Sequence, residues 1–194
     1  LYRDPRDVAV SSRKSVFSAT HPVFVAELWD HQQKLGLRWE QQGFLLLRVR
    51  YEELLEDPEA QVRRICSFMG ESFEPQMLKY FETEEAKRSG SLSGSWATTS
   101  KPIQKDRIGT WKKELRPEEV GWVEALTGPT MQALGYSLSL PPSSWRPSKS
   151  QRARFQLKER MTNLQIEWES LKKDQNVGRR WKRALFLGRL RWRS

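Results

Sequence analysis

The amino-acid sequence predicts an α/β fold: part of a parallel-sheet domain, followed by a helical basic tail. Three observations carry that expectation. "YRDPRD" near the start reads as a strand end running into a helix, and "FLLLRVR" (Phe44 to Arg50) is an apolar run of strand length. Most other segments up to residue 140 carry apolar residues at helical spacing, whereas the last fifty residues turn strongly basic.

At the start, Leu1 and Tyr2 read as the end of a strand. Asp4 takes the capping position, Pro5 the first helical position and Asp7 the third, and all three choices favour a helix start. Strand-to-helix turns are where open α/β sheets bind ligands. Phe24, Leu28, Leu35 and Trp39 then recur at helical intervals, which predicts a helix from Pro22 to Gln42 ended by Gly43. The Phe44 to Arg50 run predicts an interior parallel strand.

Asp57-Pro58 predicts a turn into an amphipathic helix bearing Val62, Ile65, Cys66 and Met69, stopped by Gly70. A short helix near Pro75 to Glu85 leads into "KRSGSLSGSWATTSKP", read as a loop from its Ser and Gly content. Trp111 to Leu115 and Pro117 to Leu134 read as helical, and "LGYSL" closes the compact part at about residue 140. Residues 141–150 read as a linker and 151–194 as the basic helical tail. One strand and the stub of another cannot make a parallel sheet, so the expectation is the C-terminal part of a larger α/β domain.

The 194 residues carry a formal charge of +10, but its distribution is uneven. Residues 145–194 hold a net +11 and residues 1–144 a net −1, so electrostatic arguments about partners belong to the tail. Cys66 stands in an apolar helical pattern and reads as a small buried residue. His21 and His31 are too few and too poor in neighbouring ligands to suggest a metal. Neither an apolar run of membrane-spanning length nor a signal-peptide pattern occurs, which leads to the expectation of a cytoplasmic location, with peripheral membrane association open through the tail.

Arg3 at the strand end, Ser11 two turns into the helix and the helix N-terminus together make a phosphate site by their chemistry. The plain alternative is an ion pair from Arg3 to Asp7. "YRDPRDVAVSS" resembles the 3′-phosphate-binding segment of sulfotransferases that use 3′-phosphoadenosine 5′-phosphosulfate, with Arg, Pro and Ser in the same order. "VRYEELLEDPEAQVRRICSFMG" resembles a later segment of the same enzymes, in which a tyrosine approaches the adenosine. "DRIGTWKKELRPEEV" resembles their late glycine-tryptophan segment, where a basic loop closes over the nucleotide, and "LGY" resembles the domain's last turn. In cytosolic members that loop reads Arg-Lys-Gly; this chain has Lys101, Lys105 and Arg107 around Pro102 and Gly109.

The resemblance implies a P-loop-type parallel-sheet sulfotransferase domain, with nucleotide-binding roles for Arg3, Ser11, Tyr51, Arg107 and Gly109. Tyr51 has a plain alternative as a core aromatic at the strand end. The implied activity moves a sulfuryl group from 3′-phosphoadenosine 5′-phosphosulfate to a hydroxyl or amine acceptor without a metal. Family members hold the 5′-phosphosulfate with a glycine-rich loop and place a base near the acceptor. No such strand-loop-helix occurs in this sequence, so the chain alone is expected to be inactive and its catalytic residues are not identified. The alternative is a non-catalytic nucleotide- or polyanion-binding module whose basic tail holds a membrane or partner.

In the tail, Leu157, Met161, Leu164, Trp168 and Leu171 form an a/d seam two heptads long, which suits packing on the chain's own domain or against another helix. "RRWKRALFLGRLRWRS" interleaves Trp and Arg, which fits an anionic lipid surface, an acidic glycan or a solvated tail. No motif for sequence-specific nucleic-acid recognition is present.

Overall fold

The computed structural model describes residues 1–13, 20–92, 100–140 and 145–173. Over these residues the architecture is helical. The helices are α1 (Pro5–Arg13), α2 (Pro22–Gln41), α3 (Tyr51–Glu56), α4 (Pro58–Met69), α5 (Glu84–Leu92), α6 (Trp111–Glu114), α7 (Pro117–Ala133) and α8 (Lys149–Lys173), with 3-10 helices at Pro75–Glu82 and Lys105–Arg107. The basic segment from Arg179 to Arg193 and its lipid reading lie outside the described residues.

The helix starts follow the local chemistry. Asp4 Oδ1 accepts the Arg6 amide at 2.9 Å ahead of Pro5, and Asp57 Oδ1 accepts the Ala60 amide at 3.0 Å ahead of Pro58. Gly70 closes α4 in the left-handed conformation. α5 runs to Leu92, beyond the point where Ser and Gly content predicted a loop. Thr83 Oγ1 caps it by accepting the Ala86 amide at 3.2 Å, and Glu84 and Glu85 in its first turn complement the helix dipole.

α2 packs against α7 and α1, and these three helices hold the core. Ala9, Val10, Val25, Ala26, Val120 and Val123 form one cluster; Trp29, Met131, Leu134 and Tyr136 form a second. The face of α2 differs from the one its periodicity suggested: Val23, Val25, Ala26 and Trp29 are buried, while Leu28 and Trp39 are 58% and 44% exposed. Val25 and Ala26 enter the first cluster and Trp29 the second, so the covered stripe of α2 is offset from the Phe24–Leu28–Leu35–Trp39 spacing. Gly121 is required by close approach. A Cβ there would stand 2.5 Å from the Trp145 ring, so the indole lies directly on the backbone of α7.

The predicted parallel sheet is corrected by the structure. Among the described residues there is no strand, only an isolated parallel bridge between Tyr2 and Arg50. Its bonds are Tyr2 N to Val49 O at 3.0 Å and Tyr51 N to Tyr2 O at 2.8 Å. The 44–50 run is an apolar segment without the neighbours a ladder needs, because nearly every other described segment is helical. Phe44, Leu45 and Leu46 accordingly remain 60%, 84% and 40% exposed. A P-loop-type parallel-sheet arrangement is therefore not what these residues build. Cys66 is buried as expected, its thiol 3.7 Å from Met77 Sδ. None of the described helices is long and apolar enough to cross a membrane.

His21 joins α8 to the body. Its Nδ1 accepts the Val23 amide at 3.3 Å as the N-cap of α2, and its ring stacks on Phe155 of α8 at 3.9 Å and lies 5.7 Å from Trp122. Burial pushes its pKa down to about 4, so the folded protein holds it neutral. Because the folded value lies below that of the unfolded chain, the stability it supports is complete above about pH 6.5 and is lost as pH falls through about 4. Because the ring is only half-buried, solvent screening reduces the effect, and denaturant unfolding at pH 7 and pH 4 should differ by about 1–2 kcal/mol from this group. A His21→Asn variant, which keeps a capping acceptor without titrating, should flatten that part of the pH dependence.

Candidate functional site

Arg3 sits between the bridge residue Tyr2 and the first turn of α1. Its carbonyl accepts Trp29 Nε1 at 3.0 Å, which fixes the backbone at the head of the helix. The side chain, 18% exposed, passes 4.5 Å from the Tyr51 ring centroid and donates from Nη2 to the Arg107 carbonyl at 2.7 Å. Nε is buried and has no hydrogen-bond partner among the described residues. The guanidinium thus keeps donor capacity in reserve next to a helix N-terminus. Asp7 approaches it at 3.9 Å, a loose ion pair rather than a bidentate lock.

The structure therefore brings Arg3, Tyr51 and Arg107 together, from three places far apart in sequence. Ser11 lies exposed near the end of α1, and no hydrogen bond among the described residues links it to Arg3. Gly109 has φ 71°, which only glycine adopts without strain, and its amide points to Asp7.

Asp7 is the residue that sequence reasoning undervalued. It is 1% exposed, and its carboxylate accepts the Gly109 amide at 2.8 Å, the Thr110 hydroxyl at 2.8 Å and the Trp111 amide at 2.9 Å. One side chain near the start of α1 thereby clamps the late basic loop against the helix that Arg3 precedes. The loop is held elsewhere as well: Lys105 Nζ donates to Glu56 O at 3.0 Å and Tyr80 OH to Lys101 O at 3.1 Å. The sequence offered Asp7 as a helix-start residue and as an ion-pair partner for Arg3. The signal that pointed further was a glycine-x-tryptophan turn whose two amides need a buried acceptor.

A cavity of about 350 Å³ opens beside this cluster, bounded by Tyr51, Leu54, Val62, Met77, Pro102 and Arg107. Its walls are mainly apolar, with Gln104 and Arg107 at the polar side; Arg107 Nε donates to Gln104 Oε1 at 3.0 Å. A flat, partly polar ring suits such a space.

Behind the cluster lies a buried charge network. Arg6 pairs with both oxygens of Asp4, reaches Glu124 at 2.6 Å and covers the Trp111 ring at 3.9 Å. Burial opposes its charge, but Asp4 and Glu124 more than offset that and hold its pKa above the usual arginine range. Glu124 also accepts the Ser139 and Leu140 amides at 3.0 and 2.9 Å. Glu52, in the first turn of α3, is buried. It accepts the Asp4 amide and the Tyr136 hydroxyl, each at 2.9 Å, while Arg50 approaches it at 3.5 Å. Burial and the Glu52 charge push the Tyr136 phenol well above its usual value. Arg48 pairs with Glu40 instead. His31 is exposed on α2, and no group of His, Cys, Asp or Glu among the described residues is arranged to hold a metal.

The family model described as "Sulfotransferase domain" matches residues 1–135. Over 99 residues the chain is 29% identical to mouse carbohydrate sulfotransferase 7, covering 48% of this chain and 19% of that protein. It is 30% identical over 95 residues to the nodulation protein NoeE of Sinorhizobium fredii, covering 47% of this chain and 22% of that protein. It is 21% identical over 126 residues to Arabidopsis thaliana cytosolic sulfotransferase 6, covering 58% and 38%. The matched part thus spans well under half the length of these curated relatives.

The charge network generates a stability prediction. Arg6→Met should cost about 3–5 kcal/mol, because Asp4 and Glu124 would be left buried and unpaired. Arg6→Lys should recover only part of it, since an ammonium cannot bridge both carboxylates and lie flat on Trp111. Chemical denaturation of the three proteins at pH 7 measures this directly.

Proposed function

Because the chain belongs to the sulfotransferase domain family, we propose that it binds 3′-phosphoadenosine 5′-phosphosulfate through the Arg3 cluster, in service of sulfuryl transfer to a hydroxyl or amine acceptor. The observation that carries this reading is the Arg3 guanidinium: buried at Nε without a hydrogen-bond partner among the described residues, aligned by Trp29 and Tyr51, and set at a helix N-terminus. Its free donors suit the 3′-phosphate bidentately. Ser11, exposed on the same helix, adds a hydroxyl once its side chain turns toward the anion. Tyr51 and Arg107 line the adjoining cavity of about 350 Å³, which suits the adenine ring. Gly109 contributes by shaping the turn that places Arg107, its own amide being committed to Asp7.

In the reaction proposed, the acceptor oxygen or nitrogen bonds to the donor sulfur as the bond from sulfur to the bridging phosphate oxygen breaks, and the acceptor proton passes to a base. The residues assigned here grip the far end of the nucleotide. They supply binding and orientation, with no stabilisation of the reacting sulfur.

Replacing Arg3 by Ala should weaken binding of 3′-phosphoadenosine 5′-phosphate by about 2–4 kcal/mol in calorimetry. Adenosine 5′-phosphosulfate, which lacks the 3′-phosphate, should bind the variant and the parent alike; equal losses for both nucleotides would refute the assignment. The 194-residue chain itself, incubated with labelled donor and a panel of hydroxyl and amine acceptors, should bind nucleotide yet release no labelled product. Turnover would show that its own residues complete the reacting centre.

A further inference from the structure

We propose that the cavity where the end of α1, the heads of α2 and α7 and the middle of α8 meet is a second binding site, one that takes a sulfate or phosphate monoester of a small polar molecule. The cavity holds about 400 Å³. Arg13 reaches it from α1, Arg116 from the head of α7 and Lys158 from α8. The nine residues of α1, about 13 Å of helix, separate it from Arg3, and the two sites share no residue.

Charge selects the ligand. Glu119 Oε1 accepts Arg13 Nη2 at 2.7 Å and Arg116 Nη2 at the longer distance of 3.4 Å, while Oε2 accepts the Arg116 amide at 3.0 Å. Two guanidiniums thus share one carboxylate oxygen, and both keep N–H donors uncommitted among the described residues. Lys158, exposed on α8, has no ion pair or side-chain hydrogen bond among the described residues. Glu159 is the other acid at the cavity, and burial moves its pKa upward, toward the neutral form. Three cations from three elements therefore face two carboxylates, one of them already shared. Like charges gathered in this way repel one another, and an anion set between them relieves that cost. The head of α2 adds to the field, since no acidic side chain stands in its first turn.

The size and walls of the cavity decide what carries the anion. A free sulfate or phosphate ion would leave most of the 400 Å³ empty, whereas a monoester of sugar size occupies far more of it. The His21 and Phe155 rings, stacked at 3.9 Å, form an apolar wall for the uncharged part of the ligand, and Thr20 adds a hydroxyl.

Glucose 6-sulfate and glucose 6-phosphate are the probes, with inorganic sulfate and glucose as controls. Calorimetry on the 194-residue chain should show at least one ester binding with a dissociation constant of about 0.1–1 mM, at least about threefold tighter than inorganic sulfate, and no binding of glucose. Arg116→Gln and Lys158→Gln, both at exposed positions, should each weaken the ester about threefold and together about tenfold while circular dichroism stays unchanged. Arg3→Ala should leave the ester's affinity as it is. Failure of both esters to bind would overturn the proposal. So would inorganic sulfate or glucose binding as tightly as the esters, an unchanged affinity in the double variant, or a loss in Arg3→Ala as large as in that variant.

Discussion

The carboxylate of Asp7 is the constraint on which the rest of the arrangement depends. It satisfies two backbone amides and a hydroxyl in a loop about a hundred residues away in sequence, from a site with almost no solvent access. Hydrogen bonds to a charged acceptor in such surroundings are among the stronger that proteins make, and the donors would be costly to leave unpaired. Because of this tie, the turn at Gly109 is fixed, the Arg107 carbonyl meets Arg3, and the wall of the cavity beside Tyr51 has a defined position.

Around that tie, charges do the work that apolar burial does elsewhere. Asp4, Arg6, Glu52 and Glu124 are all buried; Arg6 and Glu124 join α1 to α7, Glu52 ties α3 to the Asp4 amide at the head of α1, Glu124 also holds the segment after α7, and Asp4 locks Arg6 in place. Buried ion pairs rarely add net stability over apolar packing, because desolvation is expensive. Their effect here is directional. Each carboxylate accepts only where its partners stand, so the head of α1 is held in one orientation, and Arg3 with it.

Sequence reading reached the local grammar. Capping residues and prolines at Asp4-Pro5 and Asp57-Pro58, and the glycine stops at Gly43 and Gly70, are encoded by neighbours within one turn. It overreached at the Phe44 to Arg50 run, since a strand requires partners that its own composition cannot show, and among the described residues only Tyr2 bridges to it. The buried face of α2 escaped for a related reason: Ala26 and Val25 face α1 and α7, and which stripe of a helix is covered depends on its neighbours. In the candidate site, Arg3, Tyr51 and Arg107 were visible through motif order, and the structure gathers them. Asp7 was legible as a first-turn acid and as an ion-pair partner for Arg3, whereas its role as a buried acceptor was not, because burial of a carboxylate is a tertiary property. On α8 the spacing of Leu157, Met161 and Leu164 was legible, whereas their exposure follows from Phe155 and Arg152 facing the body.

If Asp7 is the clamp, its removal must loosen the late loop before it loosens the helical core. Amide hydrogen exchange on the 194-residue chain and on Asp7→Asn tests this most directly. The account predicts that the Gly109 and Trp111 amides are strongly protected in the parent and exchange at least about tenfold faster in the variant, a loss of about 1.4 kcal/mol or more, while Val123 and Met131 in α7 change far less. Rapid exchange at Gly109 and Trp111 in the parent, or rates that the substitution leaves unchanged, would contradict it.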